Sequence, residues 1–316
     1  LNIIKFKFEY RGDNMRDNNF IIENNAKHLW HPMGAPRDSI NNPPKVITNA
    51  NGSQISDIDG HTTVDAVGGL WCVNLGYSNE TVKKAISEQL NHLPYYSGFA
   101  GTTNPAAIEA SFMVKEMFKA DGMEKVFFTS GGSDSVETCL RLSRQYHRLR
   151  GEPTRTKFIS LKKGYHGTHF GGASVNGNNR FRIAYEPLLP GCFHLPSPYT
   201  YRNPFNETDP QKLALNIAQT FEDEIAFQDK NTIAAFIMEP IQGAGGVIVP
   251  DPSFMGLMQE ICERNGILMI SDEVITGFGR TGSWSGARHW NVKPDMMSMA
   301  KGITSGYFPV GAALMG

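Results

Sequence analysis

Two ionisable residues stand at the ends of apolar, strand-like runs, and their residue types suit covalent chemistry. Asp272 follows ILMIS, and Lys301 follows MMSMA and precedes a glycine-rich turn. In open α/β sheets, ligands bind at the carboxyl ends of the strands. Apolar surroundings favour the neutral form of a lysine amine, which is the form that attacks an aldehyde. The pattern therefore predicts a carboxylate and a nucleophilic amine at one edge of a sheet.

A buried Asp272 needs a cationic partner, because an isolated ionised carboxylate is costly to remove from water. A protonated pyridine nitrogen would supply that charge, with an attraction of up to about 4 kcal/mol before desolvation is subtracted. The residue types alone leave other readings open. Asp272 could cap a turn or pair with Arg280, and Lys301 could be an ordinary solvated lysine.

A glycine-rich turn, SGGSD, links the apolar run KVFFT to a sequence with helical periodicity. Gly132 would let the backbone approach an anion at the start of that helix, where free amides and the helix dipole suit a phosphate. The Ser133 hydroxyl would be an added donor. An ordinary turn with Asp134 and Glu137 as a capping box is the alternative.

Two further glycine-flanked segments carry candidate groups. In KKGYHGTHFGG, the Tyr165 ring could stack on a heterocycle, whereas zinc binding by His166 and His169 is disfavoured because no further ligands accompany them. The segment GFGRTG at 277–282 matches a dinucleotide-binding pattern. The sequence after it does not have helical periodicity, and no acid lies at the expected distance, so we expect no dinucleotide site there.

The elements that position these groups follow from the periodicity of the chain. Residues 45–67 alternate apolar and polar positions around two Asx-Gly pairs, which predicts antiparallel strands joined by tight turns. From about residue 79, helical patterns alternate with apolar strands, which favours an α/β fold with a mainly parallel sheet. Residues 177–210 are rich in glycine, proline and asparagine and predict a long irregular loop. The predicted strands are 125–129, 157–161, 233–238, 267–271 and 296–300.

Composition excludes several classes of protein. With 30 basic and 31 acidic residues among 316, the net charge of −1 disfavours general nucleic-acid binding. No apolar run approaches the roughly 20 residues that span a bilayer. The four cysteines have no metal-ligand spacing, so we expect free thiols and a cytoplasmic protein.

Five motifs taken in order resemble the class III aminotransferases, which are pyridoxal-phosphate (PLP) enzymes of fold type I. They are SGGSDSVET, GYHG, EPIQGAGGVIVP, SDEVITGFGRTG and MAKGITSGYFPVGA. LWCVNLGY and LPYYSGFAGTTNPA look most like the ω-amino acid–pyruvate and amine–pyruvate transaminases. The resemblance implies an α/β large domain with a mainly parallel central sheet, and a homodimer with its sites at the interface.

The same resemblance assigns roles to residues. Lys301 would form the Schiff base with PLP and carry a proton during the reaction, while Asp272 would hold the pyridine nitrogen. Val274 would pack on the ring face opposite Tyr165. The other implied residues are Gly132 and Ser133 at the phosphate, Gln242 near the phenolic oxygen, Glu239 and His166 elsewhere in the cofactor site, and Trp71, Phe99 and Tyr165 in the substrate pocket.

The family pattern also implies a domain arrangement. Residues 1–14 look unlike the rest of the chain, and we expect them to be a non-native or disordered extension before a start at Met15. The resemblance implies that residues 15–74 are an N-terminal lobe of the small domain and that residues 75–316 are the truncated PLP-binding large domain. In the family, a C-terminal small domain follows and supplies a threonine for the neighbouring subunit's phosphate and an arginine for the substrate carboxylate. We expect that domain to be missing from this chain.

The predicted activity is transfer of an amino group from an ω-amino acid or amine to pyruvate or a similar keto acid. The alternatives are an aminomutase of the glutamate-1-semialdehyde type, which shares the lysine and aspartate motifs, and an inactive fragment of a transaminase. The sequence does not identify the amine donor.

Overall fold

The computed structural model describes residues 17–316, so Met15 and the extension predicted before it lie outside the described residues. The chain divides into two compact units. The first unit runs up to Val67 and includes Gly76–Asn79, and the second contains Gly68–Leu75 and Glu80–Gly316. The boundary predicted after residue 74 therefore lies inside the segment Gly68–Leu75, which belongs to the second unit.

The first unit contains two short helices followed by a small antiparallel sheet in which the middle strand pairs with both others. Gly52 (φ 56°) and Gly60 (φ 86°) adopt the left-handed conformations that such tight turns require. The hairpins predicted at these glycines are confirmed. The elements are α1 (Asn18–Asn25), α2 (Pro36–Asn41), β1 (Ile47–Asn51), β2 (Gln54–Asp57) and β3 (Thr62–Val64).

The second unit is built on a seven-stranded sheet with the order β4-β10-β9-β8-β7-β5-β6. The last strand of the chain runs antiparallel to both of its neighbours, and the pairings among the other strands are parallel. The predicted α/β class with a mainly parallel sheet is confirmed. The strands are β4 (Lys125–Thr129), β5 (Lys157–Leu161), β6 (Cys192–Leu195), β7 (Ile233–Met238), β8 (Leu268–Asp272), β9 (Met296–Met299) and β10 (Gly311–Met315).

Helices pack on both faces of this sheet. The helices of the second unit are α3 (Gly68–Trp71), α4 (Glu80–His92), α5 (Pro105–Met117), α6 (Gly132–Leu149), α7 (Phe170–Val175), α8 (Pro210–Gln228), α9 (Phe254–Asn265) and α10 (Gly286–His289). Because side chains alternate along a strand, Phe236 and Met238 of β7 join one apolar cluster with α8 and α9. Ala235 and Ile237 of the same strand join a second cluster with α6.

The structure differs from the sequence-based prediction at three strands, one of which, β9, ends at Met299, one residue earlier than predicted. β6 lies inside the segment 177–210 that was predicted to be irregular, because a four-residue strand between prolines and glycines has too little periodicity to be recognised. β8 begins one residue later than predicted and includes Asp272 as its last residue.

All four cysteines are free thiols. Among residues 17–316, no helix is long and apolar enough to cross a membrane.

Candidate active site at the carboxyl edge of the sheet

A cavity of about 150 Å³ lies where several parallel strands end. β4, β5, β7, β8 and β9 all present their carboxyl ends at one edge of the sheet, so the loops after them converge. Eight of the residues predicted for the site line this cavity. They are Gly132, Ser133, Tyr165, His166, Glu239, Asp272, Val274 and Lys301.

Asp272 is the last residue of the central strand and only 4% exposed. Its Oδ1 accepts hydrogen bonds from Ser298 Oγ at 3.0 Å and from the Val274 N–H at 3.2 Å. Its Oδ2 lies 2.7 Å from His166 Nδ1. The ion pair with Arg280 considered from sequence is not formed, because that guanidinium donates to Asn74 Oδ1 at 2.5 Å instead.

His166 is the partner of Asp272 that the sequence did not identify. Its backbone N–H donates to Asn176 Oδ1, which holds the loop after β5. Its Nε2 is buried and has no hydrogen-bond partner among residues 17–316. His169 lies nearby in sequence but contacts Asp134, with 3.4 Å between its Nδ1 and the carboxylate. The two histidines therefore contact different carboxylates, His166 that of Asp272 and His169 that of Asp134.

Lys301 follows β9 and begins a single 3₁₀ turn, Lys301–Ile303. Its φ of 47° lies in the left-handed region, which non-glycine residues seldom occupy and which is often found at functional sites. Among the ion pairs of the described residues, none involves its amine. Lys301 thus lines the cavity with no carboxylate oxygen of residues 17–316 within 4.0 Å of its amine.

The start of α6 forms another wall of the cavity. At Gly132, a Cβ would come within 3.1 Å of Val274 Cγ1, so the absent side chain allows the helix to approach that residue. Ser133 Oγ accepts the Thr168 N–H at 3.1 Å and keeps its own hydrogen free to donate. The first amides of a helix have no acceptor inside it, which makes this end suitable for an anion.

The capping alternative considered from sequence is realised only in part. Asp134 Oδ2 accepts the Ser130 N–H at 3.2 Å, as a cap would. Glu137 instead accepts the Gly172 N–H at 3.3 Å and joins α6 to α7. Asp134 therefore supports the turn and Glu137 holds α7, while Gly132 and Ser133 remain at the cavity wall.

Glu239 connects two of the converging loops. Its carboxylate accepts the Tyr165 N–H and the Gly243 N–H, both at 2.9 Å. Burial raises the pKa of Glu239 to about 7, and the nearby charge of Asp272 acts in the same direction. Burial and the charge of Asp272 also raise the pKa of Tyr165, so its ring is neutral near pH 7.

Three predicted residues do not line this cavity. Gln242 is buried beneath the loops, where its Nε2 donates to the Lys162 carbonyl at 3.0 Å and its Oε1 accepts from Ser197 Oγ at 2.5 Å. Trp71 lines a separate cavity of about 330 Å³, which shares Ile275 with the first. Phe99 is 96% exposed and lines neither cavity.

The groups around the first cavity fit PLP by their chemistry. Helix amides and a serine hydroxyl suit a phosphate, a buried carboxylate suits a protonated pyridine nitrogen, and an unpaired amine suits an aldehyde. Tyr165 and Val274 offer an aromatic and an aliphatic surface for a flat ring. These complementary groups come from the carboxyl ends of four strands, β4, β5, β8 and β9.

Comparison with known proteins agrees with this fit. The family model described as "Aminotransferase class-III" matches residues 36–316. The putrescine–pyruvate aminotransferase of Pseudomonas aeruginosa is 39% identical over 271 residues, which cover 86% of this chain and 59% of that enzyme. The omega-aminotransferase of Caulobacter vibrioides is 36% identical over 292 residues, covering 92% of this chain and 65% of that enzyme.

A solved structure gives the same relationship in three dimensions. The PLP-bound amine transaminase from an uncultivated Pseudomonas species superposes with a TM-score of 0.89 at 47% identity. The match covers 91% of this chain and 65% of that one. This chain therefore spans about two thirds or less of the length of these relatives. The chain therefore belongs to the class III aminotransferases, whose cofactor is PLP.

Proposed function

We propose that this protein is a transaminase that moves an amino group from an ω-amino acid or amine to pyruvate or a similar keto acid. The observation that carries the proposal is the presence of Lys301, Asp272 and the start of α6 around one cavity. The named activity of the Pseudomonas aeruginosa relative, which uses putrescine and pyruvate, supports the choice of substrates.

In this proposal, Lys301 would hold the cofactor through its aldehyde, with loss of water, and would move a proton at the carbon that bears the amino group. PLP, when bound, draws electrons from that carbon. Asp272 would keep the pyridine nitrogen protonated, and its contact with His166 would hold the carboxylate in place for this role. The amides at the start of α6 and the Ser133 hydroxyl bind the phosphate.

The remaining predicted residues have supporting positions. Tyr165 and Val274 would hold the two faces of the ring, and Glu239 accepts a hydrogen bond from the Tyr165 backbone N–H. Gln242 supports the site indirectly, because its side chain accepts a hydrogen bond from Ser197 and donates one to the Lys162 carbonyl. These two bonds join the loops around the cavity. Trp71 lies in the neighbouring cavity, which we propose receives the substrate's side chain.

We also propose a homodimer, as expected for the family. On α5, Ile108 and Phe112 lie four residues apart on one face, and they are 55% and 63% exposed. Phe99, at 96% exposed, belongs to a substrate pocket only if that pocket is completed between subunits.

The free thiols suit a reducing compartment, and we propose that the protein is located in the cytoplasm.

The test is pyruvate-dependent formation of alanine from a panel of amines: putrescine, 4-aminobutyrate, β-alanine, taurine and an aryl amine. We expect activity with PLP in the wild type and none in Lys301→Ala. Lys293→Ala, which removes an exposed lysine, is the matched control and should keep its activity. Isomerisation of an amino substrate without net alanine would favour an aminomutase and contradict the proposal.

A further inference from the structure

Ser298 lies beside Asp272 in the sheet, although the two residues are 26 positions apart in sequence. It belongs to β9, and the parallel register with β8 pairs it directly with Asp272. Paired residues of adjacent strands direct their side chains to the same face. Ser298 is fully buried, at 0% exposure, so its hydroxyl must find its partner within the protein.

That partner is the carboxylate at the floor of the cavity. Ser298 Oγ donates to Asp272 Oδ1 at 3.0 Å, and the Val274 N–H donates to the same oxygen at 3.2 Å. A carboxylate oxygen has two lone-pair sites, so these two donors fill Oδ1. His166 Nδ1 contacts Oδ2 at 2.7 Å, which leaves one acceptor site on that oxygen.

We infer that Ser298 is a positioning residue that fixes the rotation of the Asp272 carboxylate, so that Oδ2 is the oxygen that receives the pyridine N–H. The inference rests on the proposed function. It goes beyond the assignment of Asp272, because it states which oxygen is available and which side chain makes it so. Without the Ser298 hydroxyl, Oδ1 regains an open acceptor site and the carboxylate loses one of its three fixed contacts.

The sheet offers a matched control. Ser160 on β5 is equally buried, and its Oγ donates to the Val175 carbonyl at 2.7 Å. Ser160→Ala and Ser298→Ala remove the same atom from neighbouring regions of one sheet, and only the second change touches Asp272. Ser298→Thr keeps a hydroxyl at the critical position and serves as the conservative variant.

Three quantities should be measured on the wild type and these variants: the dissociation constant for PLP, the pH midpoint of the bound cofactor's absorbance change, and the unfolding temperature without PLP. We expect Ser298→Ala to weaken PLP binding about tenfold and to move the pH midpoint by about half a unit or more. Ser160→Ala should lower the unfolding temperature comparably but leave the midpoint unchanged. Ser298→Thr should bind PLP within about twofold of the wild type.

The possible outcomes distinguish the role of Ser298 from the proposed function. PLP binding and a pH midpoint in Ser298→Ala that match those of Ser160→Ala would overturn the role of Ser298 and leave the proposed function intact. A wild type that binds no PLP would overturn the proposed function and this inference with it. If Ser298→Ala does not fold, Ser298→Cys, with a weak donor of similar volume, replaces it and should show the same two changes.

Discussion

At the scale of residues, the site is organised around one buried carboxylate with three protein contacts. Lys301 and Asp272 were predictable, because each stands at the end of an apolar run. The contacts of Asp272 with His166 and Ser298 were not, since they join residues 106 and 26 positions apart and depend on the order of strands in the sheet. Arg280, the partner that the sequence suggested for Asp272, donates to Asn74 Oδ1 instead.

The His166 contact gives a prediction about cofactor binding. His166→Phe keeps a ring of similar size but removes the donor to Asp272 Oδ2, which leaves the buried carboxylate with one contact fewer. We expect a loss of about 1–3 kcal/mol in the free energy of unfolding without PLP, and weaker PLP binding. Denaturant titration and PLP titration measure these quantities. His169→Phe is the control, and equal effects from both variants would contradict the account.

Glu239 gives a prediction about pH. Its pKa is raised from 4.5 to about 7 in the folded protein, so between these values the folded state holds a proton that the unfolded state has released. The contribution of Glu239 to stability is therefore present below about pH 4.5 and is lost as the pH rises towards 7. The loss is at most about 3 kcal/mol.

Denaturant unfolding of the PLP-free protein at several pH values between 4.5 and 7 tests this sign. The free energy of unfolding should fall less steeply with pH in Glu239→Gln than in the wild type. Glu273 and Asp295, whose pKa values are also raised by burial, remain in both proteins, so only the difference between the slopes is informative. Identical slopes would mean that Glu239 is ionised throughout this range.

At the scale of elements, most strands of the large sheet were predictable from apolar runs bounded by turns. Their order was not, because it depends on pairings between distant segments. β10 inserts between β4 and β9 and runs antiparallel to both, which no local pattern indicates. The loops that follow β4 and β5 come together only through this order, and their contact at Gly167 and Ser133 shapes the phosphate side of the cavity.

Gly167→Ala tests that contact between loops. Gly167 has a φ of 99°, and a Cβ there would lie 2.6 Å from Ser133 Oγ. Gly151 is a matched control, because its φ of 81° is also left-handed but no atom lies within 4 Å of an added Cβ. We expect Gly151→Ala to cost about 1 kcal/mol of stability, and Gly167→Ala to cost about 2 kcal/mol or more.

Weaker PLP binding should accompany only the Gly167 change, because only that change displaces the serine proposed to bind the phosphate. Thermal unfolding and PLP titration of the two variants provide the comparison. Equal losses of stability, with PLP affinity unaffected in both, would show that the loops tolerate a side chain at this point and that their contact does not shape the site.

At the scale of the whole molecule, the exposed apolar face of α5 supports the proposed dimer. Phe112→Glu places a charge on that face, and we expect it to convert a dimer into a monomer, because a charge in an apolar interface is strongly unfavourable. Phe227→Glu changes a phenylalanine on α8 that is 84% exposed and should leave the dimer intact. Light scattering after size exclusion distinguishes the two states, and a dimeric Phe112→Glu would refute this interface.

The central claim is that Lys301 bonds covalently to PLP, and peptide mapping tests it most directly. The protein is incubated with PLP, reduced with borohydride to make the link permanent, digested and analysed by mass spectrometry. The account predicts a phosphopyridoxyl group on Lys301 in the wild type and no specific label at another lysine in Lys301→Ala. Labelling concentrated on a different lysine, with Lys301 unmodified, would contradict it.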